Sequence, residues 1–232
     1  MSLYVGHEEW NKMMYIPNPI PPEAYIHWEK TEPKESQTFE SNTFPKNQVK
    51  KALLDNQHYL CAYTLLRIDE ERCHIEHFHP QSARPDEATD LRNMFACFPK
   101  DRNIDPVTFG AVAKDNSVET IYNPHTKNLE KHFRYTKGGE IIGNDEMADR
   151  TIKVLNLNDK ILVARRKAAI DSIFKQCHSA ASAKQFADEI MRPSRYNRLS
   201  EFCIMQRDLL LSLATKLENK ATRLINEHKR KS

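Results

Sequence analysis

Ile75-Glu76-His77-Phe78-His79-Pro80, followed by Asn93 and then by Ala96-Cys97-Phe98-Pro99-Lys100-Asp101, is the stretch on which the reading of this chain turns. A carboxylate joined to a histidine, a polar loop, an asparagine and a last metal-capable side chain are the parts of a compact phosphodiester-cleaving site. Such chemistry needs a base to take a proton from water and a divalent cation to neutralise the scissile phosphate and the leaving oxygen. Histidine titrates near neutrality, so His77 can be the base. The hard oxygens of Glu76 and Asp101 suit Mg²⁺ or Mn²⁺, and His79 and Asn103 are additional candidate ligands. Asn93 can hold the loop or the imidazole through its side-chain amide, selecting the ring nitrogen that faces the water. The bland alternative is an ordinary surface Glu-His pair.

Outward from this stretch, residues 72 to 78 alternate weakly and predict a short strand, and a helix is expected from about Glu87 to Cys97. Upstream, Phe44 to Tyr59 reads as a helix with Val49, Leu53 and Leu54 on one side and Lys50 and Lys51 on the other. Downstream, His132 to Ile142 predicts a hairpin turning at Gly138-Gly139. Beyond it, Leu155, Ile161, Leu162, Ile170, Phe186, Ile190, Leu199, Phe202, Leu209, Leu213, Leu217 and Leu224 recur at helical spacing. The run Ile16-Pro17-Asn18-Pro19-Ile20-Pro21-Pro22 predicts an extended segment, because prolines fix φ and remove donors. The expected organisation is an extended arm over 1–45, the nuclease region with its hairpin over 46–143, and a helical region over 144–232. The fold class is α+β and mainly helical, a ββα-metal core in a helical body.

Composition narrows the classes. Charged residues make up 29% of the 232 and glycines number only 5, which argues against disorder and low complexity. The net charge of +3 is small for a protein that grips a polyanion unaided, so nucleic-acid contact is expected from local clusters or from a partner. Lys100, Arg102, Arg165 and Arg166 are the candidate phosphate contacts, with a solvated helix face as the bland reading of the arginine pair. No apolar run reaches the roughly 20 residues of a membrane span and no signal peptide is read at the start, so a cytoplasmic protein is expected. Cys61, Cys73, Cys97, Cys177 and Cys203 are an odd set without a C-x-x-C pair, which predicts reduced thiols. Trp10 and Trp28 are candidates for partner anchors or for core.

A wider set of residues carries a family resemblance. Leu60-Cys61-Ala62-Tyr63, Ile75 to Ser82, Asp90-Leu91-Arg92-Asn93-Met94 and Ala96-Cys97, continued by His132-Phe133-Arg134-Tyr135, Gly139-Glu140-Ile141 and Ala148 to Asn158, resemble HNH endonucleases of the PtuB type. These are found in Septu anti-phage systems and beside some retrons. The likeness spans roughly residues 44 to 170. It implies a ββα-metal nuclease that cleaves DNA by default, with structured RNA as the alternative, under the control of a PtuA-type SMC/ABC-like ATPase. Beside retrons it implies a reverse transcriptase and its DNA product as further partners.

By this resemblance Glu76 is the metal-binding acid, His77 the general base, Asn93 the central asparagine and Asp101 the closing ligand. Relatives carry two C-x-x-C pairs around a structural zinc. Here one cysteine of each pair is missing, in Cys61-Ala62-Tyr63-Thr64 and Cys97-Phe98-Pro99-Lys100, so structural zinc is not expected unless Cys73 or His74 is recruited. Two other readings compete with an active nuclease: a catalytically degenerate HNH-like structural or targeting subunit, and a helical binding module whose Glu-His pair is accidental.

Overall fold

All four side chains of Met94-Phe95-Ala96-Cys97 are buried, and that decides the conformation around them. A run buried on every side has no helical face to present, and it lies as strand β2 (Met94–Cys97) antiparallel to β1 (His74–His77), pairing Glu76 with Phe95 and His77 with Met94. The expected helix from Glu87 to Cys97 is therefore corrected to the end of one 3₁₀ turn, Pro85–Glu87, and a second, Leu91–Asn93, running into a strand. The apolar residues of Met94–Cys97 fit either period, and only the pairing with β1 separates them.

The computed structural model describes residues 15–231. Among these the order is α1 (Glu23–Thr31), α2 (Lys46–Asn56), β1, β2, α3 (Ala111–Lys114), β3 (Phe133–Tyr135), β4 (Ile141–Gly143), α4 (Glu146–Val154), α5 (Lys160–Gln176), α6 (Ala180–Glu189) and α7 (Cys203–Lys231). The fold is α+β and mainly helical, with two separate two-stranded sheets, β1-β2 and β3-β4. Residues 17–22 are free of regular structure, but the segment before residue 45 is not extended throughout. It turns into α1 immediately after Pro22 and buries Tyr25 and Trp28. Trp28 is thus core, while Trp10 lies outside the described residues.

α2 buries Val49, Leu53 and Leu54, and burial of each such side chain is worth about 1.5–3 kcal/mol. At its end Gln57 closes the outer edge of β2. Its Nε2 donates to the Ala96 carbonyl and its Oε1 accepts from the Ala96 amide, both at 2.8 Å. A side-chain amide thereby does for Ala96 what a third strand would do. The β3-β4 hairpin forms where expected and is tied to α5 at Gly139, where φ is +91° and an added Cβ would meet the Val163 carbonyl at 2.4 Å.

Polar caps start the later helices. Asp145 accepts from the Ala148 amide, Asp159 from the Ile161 amide, and Ser179 with Ser182 forms a capping box on α6. One buried cluster runs from Trp28 and Phe44 through Phe95, Phe98 and Phe109 to Ile170 and Phe202, so the strand pair sits inside a core built from both ends of the described chain. α6 and α7 close a second cluster around Ile173, Ala183, Leu210 and Ala214. Among the described residues no helix is long and apolar enough to cross a membrane.

Candidate active site

The β1-β2 ladder continues one step beyond its strands, the Phe78 amide donating to the Asn93 carbonyl at 2.9 Å. The side chain of Asn93 then ties off the loop between them. Its Oδ1 accepts from the His79 amide at 2.7 Å, and its Nδ2 donates to the carbonyls of His79 at 3.0 Å and Glu87 at 3.3 Å. Asn93 is only 4% exposed, so these bonds are shielded from competing water. Asp90 opens the last turn by accepting from the Arg92 amide.

His77 stands at the mouth of this loop. Its Nε2 lies 2.9 Å from the Ala88 carbonyl, and a carbonyl can only accept, so Nε2 carries the proton and Nδ1 the lone pair. The Gln81 amide donates weakly to Nδ1 at 3.3 Å. Burial holds the imidazole pKa below its ordinary value, the neighbouring Lys114 charge acts in the same direction, and the Ala88 bond and the Glu76 charge oppose them. The neutral form, with its lone pair on Nδ1, is the form a general base requires. Phe39 meets the ring edge-on with centroids 4.7 Å apart, and His77 is 7% exposed.

Glu76 faces the other way, as alternation along a strand demands. Its Oε1 accepts from Lys114 Nζ at 2.9 Å, and the same ammonium donates to the His77 carbonyl at 3.0 Å. Its Oε2 lies 3.5 Å from His74 Nε2. Burial alone would lower the His74 pKa, but the bonds to Glu76 and to the Pro99 carbonyl raise it overall. Tyr63 completes the surroundings: its hydroxyl is buried without a hydrogen-bond partner, and burial, with the Glu76 charge, pushes its pKa well above 10. It stays a neutral donor.

Asp101 does not join Glu76. Its Oδ1 accepts from the Asn103 amide at 2.7 Å and so caps its own loop, with Asn103 exposed beside it. His79 Nδ1 is spent on Glu87 at 2.5 Å. Among the described residues no group of three His, Cys, Asp or Glu side chains is gathered closely enough to hold a metal ion. The residues at Glu76 therefore do not fit a divalent cation held between Glu76 and Asp101, because a lysine ammonium already occupies the carboxylate.

The candidate phosphate contacts divide. Lys100 pairs with Glu71 at 2.9 Å, and Arg165 pairs with Glu201 through one nitrogen at 2.9 Å to each oxygen. Arg102 is exposed. Arg166 is corrected: it is 3% exposed, and its guanidinium donates to the carbonyls of Gly139 at 2.6 Å and Leu157 at 2.5 Å, joining the hairpin to α5. A helical spacing that puts Arg165 outward turns Arg166 inward. His132 packs at the hairpin, bonded through Nδ1 to Asp145 at 2.6 Å.

The two half-clamps that carry Cys61 and Cys97 do come together. The Cys61 sulfur accepts from the Phe98 amide at 3.4 Å. Burial would raise its pKa, but hydrogen bonds from the Cys97 thiol, the Thr64 hydroxyl and the backbone amides of Phe98 and Thr64 outweigh burial and bring it down to about 6. Burial pushes Cys97 well above its ordinary value, so it remains the proton donor of the pair. Lys100, which stands at the fourth position of its clamp, points away to Glu71.

Four contributors escaped sequence reasoning: Lys114, Gln81, the Ala88 carbonyl and Phe39. Lys114 had a signal, a single cation ending the apolar turn Phe109-Gly110-Ala111-Val112-Ala113-Lys114. A backbone carbonyl has no signal in side-chain identity. No protein-family model matches this chain, and no curated protein is similar to it at a significant level.

Proposed function

We propose that this chain is an HNH-type endonuclease subunit that hydrolyses phosphodiester bonds of nucleic acid, with His77 as general base. The observation that carries the reading is the bond from His77 Nε2–H to the Ala88 carbonyl, which leaves Nδ1 as the basic atom while Asn93 clamps the intervening loop. A loop that only linked two strands would have no use for an imidazole whose tautomer is set from behind. In the reaction Nδ1 takes a proton from water, the resulting hydroxide attacks phosphorus, and the bond to the departing oxygen breaks as that oxygen gains a proton from solvent.

The resemblance to PtuB-type proteins extends the proposal to an anti-phage complex with a PtuA-type ATPase. DNA is the default substrate and structured RNA the alternative. A catalytic unit of such small net charge needs a partner to hold a long polyanion. A divalent ion, where a subunit or the substrate supplies one, would neutralise charge on the scissile phosphate.

A specific observation favours a second reading, a non-cleaving structural or targeting subunit of the same complex. The imidazole is covered by Phe39 and Glu76 is engaged by Lys114, so neither offers itself to a substrate in this conformation.

Incubating the purified chain with and without its ATPase, with labelled DNA and with total RNA, decides between them. Cleavage that falls by about 10²–10⁴-fold in a folded His77→Ala variant supports the nuclease. Equal cleavage in wild type and variant, or none with any substrate and partner, supports the second reading.

A further inference from the structure

Lys114 is a charged residue that the HNH reading does not call for, and the fold takes trouble to place it. The turn that carries it begins at Gly110, where φ is +66° and an added Cβ would meet Thr64 Cγ2 at 3.0 Å. The Gly110 amide donates to the Leu155 carbonyl at 2.8 Å, the Asn156 side chain donates to the Thr108 carbonyl at 2.8 Å, and Phe109 and Ala111 are buried. These contacts tie α3 to the end of α4 on one side and to the Cys61–Thr64 turn on the other. The lysine they deliver is 3% exposed and donates to both Glu76 and the His77 carbonyl. A long, strongly hydrated side chain is buried this deeply only when its charge is matched, and the match here is Glu76.

We propose that Lys114 is the resident cation of this site: its ammonium holds the position on Glu76 that a divalent ion would otherwise take. The chain thereby carries its own positive charge beside the histidine rather than drawing one from solution. This part stands on the ion pair alone; that the charge serves cleavage rests on the nuclease reading above. Lys114 acts as a positioning residue, since it holds the Glu76 carboxylate and the His77 backbone together. Asp101 sits apart, capping its own loop at the Asn103 amide.

The experiment is a Mn²⁺ titration of the full chain without nucleic acid, read by calorimetry and by the paramagnetic resonance of free Mn²⁺. Wild type should show no Mn²⁺ site that disappears in Glu76→Gln. Lys114→Met should gain one Mn²⁺ per chain that wild type lacks, and Lys114→Met/Glu76→Gln should lose it again. A wild-type Mn²⁺ site that depends on Glu76 overturns the proposal, as does a folded Lys114→Met protein that gains none. If Lys114→Met does not fold, the comparison of wild type with Glu76→Gln still decides, because it asks whether the native carboxylate is free for Mn²⁺. No cleavage is measured, so failure of the nuclease reading leaves this result interpretable and the converse also holds.

Discussion

Asn93 holds His79 by both faces of its peptide, accepting from the amide at 2.7 Å and donating to the carbonyl at 3.0 Å. The loop between β1 and β2 is thus closed at its base by one side-chain amide that mimics a backbone rung. This closure sets where Ala88 lies, and Ala88 sets the His77 tautomer. The asparagine acts on the chemistry through the loop it fastens.

Replacing Asn93 with alanine strands the amide and carbonyl of His79, while the Glu87 carbonyl keeps the Asp90 amide at 3.1 Å. A cost of about 2–4 kcal/mol is expected. Asn93→Asp keeps the acceptor but turns a donor into a charge facing two carbonyls, and should be no milder. Chemical denaturation measures the loss, and amide exchange should show it concentrated in residues 79–92. A variant as stable as wild type would rule out the clamp.

Activity should keep its basic form to unusually low pH. Because the folded pKa of His77 lies below the ordinary histidine value of 6.5, the acid limb of kcat/KM should have its inflection below that value. The corresponding stability contribution is present above 6.5 and is lost as pH falls through the folded pKa. Imidazole resonances followed across the titration give the site-specific value, and an inflection above 6.5 would sink the assignment of His77 as a buried neutral base.

Arg166 should be a stability residue. Arg166→Met removes two charge-assisted bonds to buried carbonyls, an expected loss of about 2–4 kcal/mol. The dependence of nucleic-acid affinity on salt should not change, whereas removal of one phosphate contact flattens the logarithmic slope by about 0.9. A flattened slope in folded Arg166→Met would return the residue to the binding surface.

Gln57 is the remaining single point of failure. With the side chain gone, the amide of Ala96 loses its buried partner at the edge of β2, while its carbonyl keeps the Ala62 amide at 3.2 Å. Gln57→Ala should cost about 1–3 kcal/mol, or roughly 2–12 °C in Tm for a chain of this size. Calorimetric melting checks it. A shift under a degree would mean that the strand edge finds another partner.

What could be read without the fold was whatever depends on local chemistry and on period. The α2 helix follows from Val49, Leu53 and Leu54, the hairpin from the glycines after Tyr135, and the helical carboxy-terminal region from its leucine spacing. The pairing of Glu76 and His77 with Asn93 could be nominated from residue types, since few side chains combine basicity, charge and a two-way amide. Tertiary structure decided the rest. Met94–Cys97 became a strand because its partner is β1, and Arg166 turned inward because two carbonyls await it. Lys114, 38 residues from Glu76, came to hold that carboxylate through contacts made by other elements. Helix period and turn chemistry are properties of neighbours along the chain. The partner of a buried charge depends on what the completed core brings beside it, and no short stretch of sequence contains that.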